Sequence, residues 1–198
     1  MKKYFFLCFV FSLTLLSAQE VVSNLISNPI LSETKFTKDI NKSVLGLPFF
    51  DDFSYDRSIV SIDLWEQSSV FVNRSYPLNP PTIGVATFDG LDRSGLARDF
   101  NSSNTTDPSD TLLSKEIDLS GSNSVYLMFY YQAKGIGDAP ELQDKLVLEF
   151  FNDTLGWEQV WSSDDTVLQD FTKVVAVIDE PKFLHDSFQF RFRNYATI

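Results

Sequence analysis

The sequence has a single cysteine, Cys8, and a single histidine, His185, among its 198 residues. Because Cys8 lies inside an N-terminal apolar run, the rest of the chain has no thiol for a disulfide or a thiolate metal site. For an exported domain this means that stability has to come from burial of apolar side chains, aided at most by a bound ion.

Basic residues are also scarce. The chain has 16 Lys and Arg residues against 27 Asp and Glu residues, which gives a formal net charge of −11. This balance argues against nucleic acid and anionic membranes as partners, since both repel an acidic surface. It favours solubility and is compatible with cations or with neutral polar ligands such as sugars.

Only one long apolar run is present, and it lies at the N-terminus. Lys2 and Lys3 precede the apolar residues 4–16, a segment too short for a good membrane span, and Leu-Ser-Ala-Gln follows. This pattern predicts a signal peptide over residues 1–18, cleaved after Ala18. The mature protein is then secreted or at the cell surface, without membrane insertion. An uncleaved signal anchor is the alternative, and the cleavage region has no cysteine for a lipoprotein anchor.

After the signal, the sequence has strand patterns and no amphipathic helical period. A polar lead over residues 19–45 precedes a domain over residues 46–198. Short runs rich in β-branched and aromatic residues alternate with Gly, Pro, Asn and Asp turn signals. The predicted strands are residues 49–53, 64–73 (one strand, or two broken at Ser68-Ser69), 83–88, 111–119, 125–133, 145–153, 154–161, 171–178 and 188–193, and a helical turn is allowed within 181–186. This predicts an all-β, antiparallel β-sandwich of the jelly-roll type.

The predicted strand at 125–133 lacks the usual polar outer face. One face carries Val125, Leu127, Phe129 and Tyr131, and the other carries Tyr126, Met128, Tyr130 and Gln132. Either loops cover the outer face, or its rings line a groove that holds a sugar or a peptide. The second alternative makes Tyr126, Tyr130 and Gln132 candidate ligand-binding residues.

The last predicted strand alternates, with phenylalanines directed inward and Arg191 and Arg193 directed outward. The two arginines either bind a carboxylate of a ligand or form a salt-bridge ladder with Glu149 or loop acids. Trp157 and Trp161 lie four residues apart, so a regular strand directs both to the same side, either to the core or its rim or, as the second alternative, to a ligand.

Clusters of acidic residues in loops provide the oxygen ligands that calcium prefers. The candidates for a structural calcium site are Asp51, Asp52, Asp138 and Asp144. No EF-hand spacing is present, and no other cofactor is expected.

Catalytic patterns are weak. His185 has Asp186 and Ser187 as sequence neighbours, which is not how triads are assembled, and Gly-x-Ser-x-Gly is absent. A glycosidase needs two placed carboxylates, for which Glu149 and Glu158 are the default candidates. The sequence is therefore expected to have no enzymatic activity.

Several segments together resemble a known family. They are LPFFDDFSYD, NPPTIGVATFDGLDRSG, DTLLSKEIDLSG, YLMFYYQAKGIGDAPELQDKLVLEFF, GWEQVW and FLHDSFQFRFRNYA. They resemble the N-terminal module of large secreted Bacteroidetes proteins, many of which are exported by the type IX system associated with gliding motility. That module is similar to MAM domains and other concanavalin-like jelly rolls. The resemblance implies a surface adhesion module without known catalysis.

Two departures from the family stand out. The cysteines of animal MAM domains are missing, and the sequence ends at Ile198, where such modules continue into a further strand. The domain is therefore expected to lack its last strand, which leaves a sheet edge unpaired. Thr111, Thr154 and Thr166 match the Asp-Ser/Thr-apolar pattern that Bacteroidetes use for O-glycosylation.

The functional prediction is a secreted, non-catalytic binding module for glycans or surface proteins, belonging to a larger exported protein. The alternatives are a structural spacer and, below it, an accessory domain of a glycoside hydrolase or peptidase.

Overall fold

The computed structural model describes residues 43–91, 108–137, 139–142, 144–163 and 169–195. The predicted signal peptide and residues 19–42 of the lead lie outside these residues. In the described part, regular structure is β throughout, apart from one 3₁₀ turn at Pro181–Phe183. This part of the chain has no helix long and apolar enough to cross a membrane. The all-β class predicted from the sequence is confirmed.

Nine strands are present in the described residues. They are β1 Trp65–Ser68, β2 Phe71–Asn73, β3 Val85–Thr87, β4 Pro108–Ser114, β5 Val125–Tyr131, β6 Leu146–Asn152, β7 Gly156–Ser162, β8 Thr172–Ile178 and β9 Phe190–Tyr195. A five-stranded sheet has the order β1-β4-β9-β6-β7, and two-stranded sheets are formed by β2 with β3 and by β5 with β8. Every strand pair is antiparallel.

Strand β9 lies at the centre of the five-stranded sheet, and its side chains alternate between the two faces of that sheet. Phe190 and Phe192 are buried on the inner face, and Phe192 lies between Leu112 of β4 and Leu148 of β6. The arginines between the two phenylalanines and after them lie on the outer face, as predicted.

The β5–β8 pair packs on the inner face of this sheet. The ring of Phe129 lies 5.1 Å from that of Trp161 and 4.8 Å from that of Phe192, in edge-to-face contacts. Leu127 and Ala176, which face each other across the pair, also contact the core. Aromatic and aliphatic side chains from two layers therefore form one core.

The structure corrects the prediction for Trp157 and Trp161. Gln159 pairs with Glu149 and Trp161 pairs with Leu148, so Val160 is an extra residue in β7. This bulge reverses the alternation. Trp161 consequently faces the core, whereas Trp157 lies on the outer face of the sheet.

The predicted strand at 49–53 is not a strand. The carboxylates of Asp51 and Asp52 accept hydrogen bonds from the backbone N–H groups of Phe53 and Ser54, and Phe53 has a positive φ of 53°. These local turns replace strand pairing. The ring of Phe49 still enters the core, 5.3 Å from that of Trp65.

The predicted strand at 111–119 also ends early, at Ser114. Beyond it, Ile117 makes single bridges with Leu45 and Phe188. Leu45, placed in the lead by the sequence, is therefore attached to the domain. The segment 64–73 is divided into β1 and β2 around Ser69, the second of the two predicted alternatives.

Candidate binding surfaces

The outer sides of β5 and β8 form what we call the open face, which consists of Tyr126, Met128, Tyr130, Val175 and Val177. Tyr126 is 65% exposed, Met128 55% and Tyr130 47%, and the two valines are about half exposed. Tyr126 lies opposite Val177, and Met128 lies opposite Val175. The five apolar side chains are thus neighbours on one surface, with Lys173 opposite Tyr130. The sequence left two alternatives for this face, which was either covered by loops or lined with accessible rings. In the described residues the rings are exposed.

Gln132 lies next to the open face, but its amide is used within the protein. Its Oε1 accepts a hydrogen bond from the N–H of Leu78 at 2.9 Å, and its Nε2 donates to the carbonyls of Leu78 and Gln169. The side chain therefore ties two loops to the end of β5. A ligand contact through Gln132 would require breaking these bonds.

Arg191 and Arg193 form the predicted ladder with Glu149. The Nε of Arg191 donates to Glu149 Oε2 at 2.6 Å, and an Nη of Arg193 donates to Glu149 Oε1 at 3.0 Å. The Nε of Arg193 lies 2.8 Å from Glu149 Oε2 without the alignment of a hydrogen bond. One carboxylate thus serves two guanidinium groups, and the cluster has one excess positive charge.

Aromatic rings enclose this cluster on the outer face of the sheet. The guanidinium carbon of Arg191 lies 4.0 Å from the centre of the Trp157 ring, and Arg193 lies over Tyr195 and donates to its hydroxyl. Glu149 is only 7% exposed although it is on an outer face. A buried carboxylate depends on its cations, so removal of one partner from the cluster would leave an uncompensated charge in the sheet.

The candidate calcium ligands are not gathered in the described residues. Asp51 accepts hydrogen bonds from the Tyr55 hydroxyl and from Trp65 Nε1, in addition to Phe53 N–H. Burial, and then the charge of Asp51, raise the pKa of Tyr55. Asp144 accepts from Glu141 N–H, and Asp138 lies outside the described residues. Within these ranges, no three His, Cys, Asp or Glu side chains come together, and a calcium site stays a prediction.

Glu149 and Glu158, the two candidate carboxylates of a glycosidase, lie on opposite faces of the five-stranded sheet. Glu158 lies opposite Phe150, an inner-face residue, whereas Glu149 lies opposite Gln159 on the outer face. Glu158 accepts hydrogen bonds from Lys182 at 2.8 Å and from Asn152. The hydrogen bond from Lys182, followed by that from Asn152, lowers the pKa of Glu158. These two carboxylates cannot flank one glycosidic bond.

His185 contacts Ser187 but does not have the geometry of a triad. Its Nε2 lies 3.2 Å from the carbonyl oxygen of Phe151, and its Nδ1 lies 3.3 Å from the Ser187 hydroxyl. That hydroxyl also donates to Asp186, so the acid contacts the serine and not the histidine. A triad requires the acid to orient the base. These contacts instead fix the turn before β9.

The candidate glycosylation sites differ in accessibility. Thr111 lies inside β4, and its backbone exchanges hydrogen bonds with Ser69, whose hydroxyl accepts from Thr111 N–H at 2.7 Å. Thr154 lies in the exposed turn between β6 and β7. Thr166 lies outside the described residues. Thr154 is therefore the accessible candidate of the two that are described.

No model of a known protein family matches the chain, and no curated protein or solved structure matches it. The resemblance to the MAM-like module stays a prediction that rests on the quoted segments. The antiparallel all-β fold and the exposure of the open face stand independently of it.

Proposed function

We propose that this chain is a non-catalytic binding module, presented outside the cell, and that its open face contacts a glycan or a surface protein. The observation that carries the proposal is the exposure of Tyr126, Met128 and Tyr130 on one side of a regular sheet. A contiguous apolar patch rimmed by polar residues is typical of interaction sites.

The chemistry of the open face suits such ligands. Each tyrosine presents an apolar ring that can stack on the C–H side of a sugar and a hydroxyl that can bind its polar groups. The tyrosines are held on β5, which pairs with β8 along its whole length. The rings therefore belong to a rigid element, which lowers the entropy cost of binding.

The net charge of the chain and its predicted export restrict the class of ligand that the open face would bind. A net charge of −11 disfavours polyanions. The predicted signal peptide would place the module where glycans and surface proteins are available. Neutral glycans and cationic protein surfaces are the ligands that both features favour.

A structural spacer is the second candidate. The polar groups predicted to orient a ligand are used internally, since Gln132 bonds to two loops and both arginines bond to Glu149. A spacer requires no convergent polar groups, so this observation favours it over an enzyme.

The test is an array of neutral glycans and purified surface proteins, probed with the chain from Gln19 onward. We expect Tyr126→Ala and Tyr130→Ala each to weaken binding about tenfold, through lost ring contact of roughly 1.4 kcal/mol. Tyr76→Ala is the matched control, because Tyr76 is a tyrosine of similar exposure, 50%, in the loop between β2 and β3 and not on β5 or β8. If binding is unaffected by both open-face substitutions, the open face is not the contact surface. If the chain binds no probe at all, the result favours the structural spacer.

A further inference from the structure

Strand β5 has an edge that no other strand of the described residues covers. All seven residues of β5 pair with β8 on one side, and these two strands form a sheet of their own. In an antiparallel pair, alternate residues direct their N–H and C=O groups to the other side. Over residues 125–130, this side is consequently a row of groups ready to pair with another strand.

The sequence of this edge has none of the features that usually protect one. The strand VYLMFYY has no charge, no proline and no glycine, and it is seven residues long. Natural proteins commonly blunt an edge with lysine, proline, a bulge or a short strand. An unprotected edge of this length is a template for pairing with another strand.

A cavity of about 240 Å³ adjoins the same edge. It is lined by Val125, Tyr126 and Leu127, three successive residues of β5. Successive side chains in a strand point to opposite faces, so a cavity that touches all three reaches the edge of β5 at its Val125 end and is not confined to one face. Residues 47–49 also line this cavity.

The remaining walls of the cavity are core residues, namely Ile117, Leu119, Ile178, Phe188 and Phe190. An apolar cavity of about 150 Å³ is enough to bind benzene. The space beside β5 is therefore large enough for one large aliphatic or aromatic side chain.

We propose that the free edge of β5 and this cavity together accept an extended strand from a partner protein. Main-chain hydrogen bonds to β5 would supply affinity, and one large apolar side chain in the cavity would supply specificity. The net charge of −11 favours a strand with basic flanks. The partner is thus an extended segment with a central Leu, Ile or Phe between Lys or Arg residues.

A second copy of the chain fits less well. The inward side chains of its own β5, such as Phe129, already pack in its core against Trp161 and Phe192. None of them is available to enter the cavity. Two copies would also repel each other, because both are acidic.

The probe is a capped nine-residue peptide of alternating Thr and Val with a central Leu and a Lys at each end. We expect it to bind the chain from Gln19 onward saturably in calorimetry. N-methylation of the amides along one edge of the peptide should abolish binding, whereas N-methylation along the other edge should leave it intact. Exchange of the central Leu for Ala should weaken binding about tenfold, since a buried aliphatic side chain is lost.

Two variants of the protein complete the test. Leu47 is half exposed at the rim of the cavity, so Leu47→Trp should close the cavity without disturbing the core and weaken the peptide about tenfold or more. Val175→Ala should leave peptide affinity unchanged, because Val175 lies on the open face but on β8, which is on the other side of β5 from the free edge, and it does not line the cavity. The comparison of these two variants distinguishes peptide binding at the edge of β5 from glycan or protein binding at the open face. An unchanged melting temperature shows that both variants are folded.

Three results would overturn the proposal. The first is absence of peptide binding. The second is equal sensitivity to N-methylation on both edges, which would indicate an apolar cavity that takes side chains without strand pairing. The third is a stable dimer in light scattering that Leu47→Trp dissociates, which would assign the edge to a second copy.

Discussion

Glu149→Ala is expected to lower the free energy of unfolding by about 3 kcal/mol or more, within the range for breaking a buried ion pair. The substitution leaves two guanidinium groups without their carboxylate, and Arg191 and Arg193 are each less than one-fifth exposed. Partial access to water keeps the loss near the lower end of the range. Urea unfolding followed by tryptophan fluorescence measures it, with the m-value checked for two-state behaviour.

Glu158→Ala is the matched control for this substitution. Glu158 also has a lysine partner, but its side chain is 30% exposed and Lys182 keeps Glu180 as a second partner. Its loss of stability should be far smaller. Equal effects of the two substitutions would contradict the view that the arginine ladder depends on Glu149.

Phe150→Ala is expected to cost about 3–5 kcal/mol, the range for large-to-small substitutions in cores. Phe150 is 1% exposed, and its ring lies 5.4 Å from that of Phe183 and 5.3 Å from that of Phe188. The residues around it belong to both the sheet and the 3₁₀ turn, so they cannot collapse fully into the space left.

Phe50→Ala provides the same chemical change at a surface position. Phe50 is 73% exposed, and its removal should change stability by no more than about 0.5 kcal/mol. Thermal unfolding of the two variants side by side measures the contrast. A large loss for Phe50 or a small loss for Phe150 would show that the core is placed wrongly.

Much of the fold follows from strict alternation in the sequence. The run from Phe188 to Arg193 correctly assigned inner and outer residues of β9, and the run from Val125 to Tyr131 did so for β5. Period-two patterns are informative because each side chain of a regular strand has only two directions.

The sequence-based assignment of faces was wrong where one extra residue in a strand shifted the alternation of its side chains. The bulge at Val160 moved Trp157 to the outer face, and no glycine or proline marks it in the sequence. The contact of Trp157 with Arg191 was consequently missed. Asp51 and Asp52 fall within the predicted strand 49–53, yet their carboxylates bind nearby backbone N–H groups and form turns. Local hydrogen bonding of this kind competes with strand pairing and leaves little trace in an apolar pattern.

Strand order and the cavity beside β5 were beyond what the sequence could predict. Both depend on contacts between residues far apart in the chain, such as Leu47 with Val125 around one cavity. Alternation shows which face of a strand is apolar but not which strand becomes its neighbour. The two alternatives for the outer face of β5, covered or exposed, could be separated only by the structure.

Thiol labelling tests the exposure of the open face most directly, since the chain from Gln19 onward has no cysteine of its own. Met128→Cys places a thiol on the open face, and Ala176→Cys places one on the core side of the same strand pair. We expect the thiol at 128 to react with a disulfide reagent within about tenfold of its rate in urea, and the thiol at 176 to react roughly 100-fold more slowly. A thiol at 128 as protected as the one at 176 would contradict this expectation.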